Sequence, residues 1–118
     1  RRRQRAARLA PGRPPGELAL GAWAELRALA RDHGRPWPAG SPRFAAAEVA
    51  GWVAAEAASG VRDLGLAVEQ AQFGGPRHAP AARDWTPVAD AVAAGLDRAE
   101  PSRWRRWRAR RLPASVLG

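Results

Sequence analysis

The sequence predicts an all-α fold, a small bundle of about four helices, and three observations lead there. Alanine supplies much of the apolar content, while isoleucine and tyrosine are missing and threonine occurs once, so helix formers outweigh strand formers. Apolar residues recur at spacings of three and four in successive stretches. Those stretches are separated by proline and glycine clusters that carry helix-capping signals. With 118 residues there is enough chain for one domain with a modest core.

Residues 1–16 pair an arginine run with Pro11, Gly12, Pro14, Pro15 and Gly16, which reads as a basic linker. A first helix follows from Glu17 to about His33, with Leu18, Ala22, Leu26 and Leu29 on one stripe and Trp23 beside them. Arg27 and Arg31 fall off that stripe, and Gly34 is placed to cap the helix end. Arg35 to Gly40 forms a stiff loop that holds Trp37 between two prolines. Ser41-Pro42 supplies an N-cap and a proline in the first turn, opening a second helix with Ala45, Val49, Trp52 and Val53 on one face. That helix is expected to reach Ser59, where Gly60 stops it.

A third helix is expected from Val61 to Phe73, weakened at Gly65 by about 1 kcal/mol relative to alanine. Arg77 to Trp85 reads as a loop. Thr86-Pro87 opens a last helix through Val88, Val92 and Leu96, which Pro101 interrupts or restarts. The helical domain is thus 17–100, followed by a basic-aromatic segment over 101–118. Trp23, Leu26, Val49, Trp52, Leu64, Val68, Val92 and Leu96 are the expected core.

The net charge of +9 belongs to the ends of the chain. Six arginines and no acid lie in 1–13, and six more without an acid in 103–118. Between them eight arginines meet eleven acids. Basic segments flanking a mildly acidic body suit a domain beside a membrane, because cytoplasmic flanks of membrane helices collect arginine and lysine. Basic tails also serve solubility alone. The opening Arg1-Arg2-Arg3, without methionine, suggests a piece of a longer chain.

Catalytic patterns are missing. There is no cysteine, no phosphate-binding glycine loop and no Gly-x-Ser-x-Gly turn. His33 and His78 stand apart from other ligand types, and the acids are scattered as on solvated helix faces. No enzyme, metal or cofactor is expected of this chain. The most unusual segment is Arg103 to Leu112, where Trp104 and Trp107 are three apart with Arg108 and Arg111 next along the same helical face. Three readings compete: the tryptophans cover the core, the segment lies on an anionic membrane surface, or it binds nucleic acid, with arginine on phosphates and tryptophan stacked on bases. The residues expected to meet an anionic surface are Arg1, Arg2, Arg3, Arg5, Trp104, Arg105, Trp107, Arg108 and Arg111.

Trp23-x-Glu25-Leu26, then Gly34-x-Pro36-Trp37-Pro38-x-Gly40-Ser41-Pro42-Arg43, then Val68-Glu69-Gln70-Ala71-Gln72-Phe73-Gly74, follow one another in an order that resembles the C-terminal domain of bacterial transglutaminase-like membrane proteins. The Arg108 to Leu117 ending is similar to the tail of actinobacterial members. Ser41 stands where the family has threonine, and Gln72-Phe73 where it has Arg-Tyr. The resemblance implies a domain on the cytoplasmic side of the plasma membrane, following a last membrane helix, with the Cys-His-Asp machinery of the parent upstream and outside the cell. It also implies a protein partner inside the cell, and with the missing catalytic patterns the expected role is a non-enzymatic accessory, interaction or regulatory domain. A small nucleic-acid-binding module built on Arg103 to Arg111 is the alternative.

Overall fold

Five α-helices and one 3₁₀ turn make up the described residues, and no strand occurs among them, so the chain is all-helical as its composition implies. The structure is a computed structural model that describes residues 2–10, 12–75 and 79–111, with side chains described within 4–99.

Helix α1, Arg2–Leu9, lies inside the stretch expected as a linker. Helix α2, Pro15–Asp32, begins on a proline, whose fixed φ and missing N–H suit a first turn. It ends as the sequence predicts. The Gly34 N–H donates to the Arg31 carbonyl (3.0 Å) and the Arg35 N–H to the Ala30 carbonyl (2.8 Å), with Gly34 at φ +66°. Helix α3, Pro42–Ala50, is opened by the Ser41 hydroxyl, which accepts from the Phe44 N–H at 3.2 Å.

The expected end of that helix near Ser59 is corrected: α3 stops at Gly51, and a 3₁₀ turn, Ala55–Ala57, leads into α4, Ala58–Phe73. The early stop lets the chain fold back. The Trp52 N–H donates to the Val49 carbonyl (2.8 Å), and its ring meets Trp37 edge-on at 6.0 Å. Gly60 therefore lies within the first turn of α4 rather than ending a helix. Helix α5, Thr86–Arg111, is also continuous where a break was expected. Pro101 removes one backbone hydrogen bond without ending it.

Helix α2 is the centre of the molecule: α1, α4 and α5 all pack against it, and α3 packs on α4. Leu26, Val49, Leu64, Val68, Val92 and Leu96 are wholly buried and Trp23 nearly so, as expected of the core, whereas Trp52 is half-buried at its edge. Trp85, assigned to a loop by the sequence, is buried as well. The Arg83 guanidinium covers its ring at 4.5 Å and pairs with Asp63 at 2.8 Å, which ties the loop to α4.

Candidate functional site

Helix α1 has almost no apolar stripe, so its attachment rests on specific contacts. A Cβ on Gly21 of α2 would overlap the Arg8 carbonyl, so only glycine lets the two backbones approach this closely. Arg8 Nη1 reaches Glu25 Oε2 at 3.4 Å, and Glu25 is wholly buried. A buried carboxylate needs partners, because its lost hydration is otherwise uncompensated. Arg5 forms an ion pair with Asp90 of α5. Leu9 packs on the core and lines one hollow with Leu18 and Thr86.

These contacts fix the direction of α1. Passing from Leu9 back to Arg5, its partners advance from Leu18 to Glu25 on α2 and from Thr86 to Asp90 on α5. Helix α1 is therefore antiparallel to both. Helices α2 and α5 run in parallel, since Leu18 neighbours Thr86 and, further along, His33 Nε2 lies 2.8 Å from Asp97 Oδ1. The start of α1 and the end of α5 consequently point to the same end of the bundle. From Asp97 to Arg111 the last helix adds about 20 Å at 1.5 Å per residue.

Of the residues expected to meet an anionic surface, Arg5 is engaged with Asp90. Arg2 and Arg3 are in α1 and Trp104, Arg105, Trp107, Arg108 and Arg111 in α5, with side chains outside the described residues. Arg1 and His78 lie outside them altogether. The packing of Trp104 and Trp107 on the core likewise falls outside them. No helix among the described residues is long and apolar enough to cross a membrane, and no group of three or more His, Asp or Glu among them is placed to hold a metal ion.

A second surface surrounds Trp37. Its ring packs edge-on to Trp23 (5.1 Å) and to Trp52 (6.0 Å), and the Arg35 guanidinium lies 4.2 Å over the Trp52 ring. The flanking prolines restrict the backbone on both sides of Trp37, which stands between two surface hollows. One, of about 400 Å³, is lined by Arg27, Arg31, Arg35 and Pro36. The other, of about 480 Å³, is lined by Trp23, Arg27, Pro38 and Phe73. Phe73 is 75% exposed there. Arg27 and Arg31, one helical turn apart, are exposed, and neither pairs with a carboxylate among the described residues. Sequence reading placed both off the apolar stripe but gave them no role; two such arginines beside a Pro-Trp-Pro loop were the available signal.

Comparison with protein-family models, curated proteins and solved structures finds nothing that matches this chain.

Proposed function

We propose that this chain is a non-enzymatic accessory domain: an interaction module held at the cytoplasmic face of a bacterial membrane as part of a transglutaminase-like membrane protein. The observation that carries the reading is the direction of α1. Because it runs antiparallel to α5, the start of α1 and the arginine-rich end of α5 are directed toward the same end of the bundle, with Arg5 paired to Asp90 near the start of α5. Basic segments directed toward one end suit an anionic leaflet, where each arginine near the surface contributes about 1 kcal/mol. The ordered resemblance to the family supports the same placement.

The test is co-flotation of the chain with vesicles. Binding is expected to vesicles containing phosphatidylserine and not to neutral phosphatidylcholine, and Trp104→Ala/Trp107→Ala should weaken it by about tenfold, as interfacial tryptophans add apolar burial to the charge term. Tight binding to nucleic acid with no binding to anionic vesicles would replace this reading with the nucleic-acid module built on Arg103 to Arg111.

A further inference from the structure

We infer that the hollows around Trp37 form a docking groove for an acidic, apolar-anchored segment of a partner protein. The inference rests on the reading of the chain as an interaction domain but not on its attachment to a membrane. Three features carry it. Arg27 and Arg31 stand along one wall, exposed and without carboxylate partners among the described residues, so their guanidinium forks are available to carboxylates of another chain. Trp37 and Phe73 supply an apolar floor in the same place, and Phe73 is more exposed than any other large apolar side chain among the described residues, Phe44 at 58% included. The floor is rigid, because Trp37 is fixed by Pro36, Pro38 and two edge-on tryptophan contacts, so little ordering is needed on binding.

The charge selects the partner. Free cations beside an aromatic floor repel basic segments and favour one in which glutamate or aspartate flanks a leucine or phenylalanine. The carboxylates would sit on Arg27 and Arg31 and the apolar side chain between Trp37 and Phe73. This places the binding energy on α2 and the loop after it, away from the contact between α1 and α2.

The experiment titrates the full chain, labelled with ¹⁵N, with an acetylated Glu-Glu-Leu-Phe-Glu-Glu peptide and with its lysine counterpart. The acidic peptide is expected to shift the Trp37 indole N–H and the amides of Arg27 and Arg31. Arg27→Glu/Arg31→Glu should weaken it by about tenfold or more, as two charge-assisted contacts are lost. Arg62→Glu/Arg98→Glu makes the same change of net charge on exposed residues elsewhere and should alter binding less than about twofold. Helical circular dichroism checks folding, and Arg27→Gln/Arg31→Gln serves as a milder variant of the same contacts. Equal weakening by the two reversed pairs, equal binding of the lysine peptide, or shifts confined to 103–111 would overturn the groove. A single-stranded oligonucleotide that occupies the groove more tightly than the peptide would overturn the partner class. Loss of vesicle binding with these shifts intact removes only the membrane reading, and vesicle binding without them removes only the groove.

Discussion

Asp84 shows how one exposed side chain sets the start of the longest helix. It precedes α5 by two residues, and its carboxylate accepts from the Thr86 hydroxyl and from the Thr86 N–H, the latter at 2.9 Å. Those donors favour the ionised form and hold its pKa below the ordinary carboxylate value. A depressed folded pKa means that the contribution to stability is present above the unfolded value and is lost as pH falls through the folded one. Thermal unfolding followed between pH 6 and pH 2, roughly the range spanning carboxylate titration, should show wild type more stable than Asp84→Asn at the upper end. The gap should close on acidification; a gap constant with pH would remove the carboxylate from this role. The sequence marked Thr86-Pro87 as a helix start but not Asp84 as its stabiliser. The same stretch was read as loop, so burial of Trp85 was missed. A lone tryptophan outside a periodic run carries no signal of burial; here the ring packs into the core with Arg83 over it.

At the level of elements, close packing decides what propensity does not. A Cβ on Gly65 would overlap the Ala46 side chain and press on the Pro42 carbonyl, so this glycine is the crossing point of α3 and α4. Gly65→Ala should therefore destabilise the chain by about 2 kcal/mol in urea unfolding, although alanine favours an isolated helix by about 1 kcal/mol. Gly21→Ala, which crowds α1 alone, should leave global unfolding nearly unchanged while raising amide exchange over residues 4–9. Stabilisation by Gly65→Ala would refute the crossing. The same logic explains which elements could be read from sequence. Ends defined by local chemistry were legible: Gly34 after α2, Ser41-Pro42 before α3 and Thr86-Pro87 before α5. Helix α1 was not, because polar residues with two adjacent alanines and one terminal leucine give no periodic stripe; its helix is held by Gly21, Glu25 and Asp90, all distant in sequence. The stop at Gly51 was hidden for a similar reason. Trp52 and Val53 continue an apolar spacing that looks helical, yet they pack by leaving the helix.

Over the whole molecule, the sequence gives the charge of each end but not the relation between them. Two arginine-rich ends separated by about a hundred residues could lie at opposite poles, and then no single flat surface would engage both. The antiparallel docking of α1 directs its start and the end of α5 toward the same end of the bundle, and the proposed membrane-facing role stands on that direction. The arginine-aromatic groove was invisible at this scale too: its walls come from α2, the loop after it and the end of α4. The chain has no cysteine, so a single introduced thiol can be labelled without competition. With a nitroxide on Gln4→Cys, paramagnetic broadening of backbone amides reads the direction of α1 in solution. Broadening across the chain strongest around Val88 to Ala94 of α5 and Glu25 to Leu29 of α2 is the expected result. Strongest broadening at Ala82 to Thr86, or none beyond α1 itself, would contradict the antiparallel docking on which the membrane-facing reading rests.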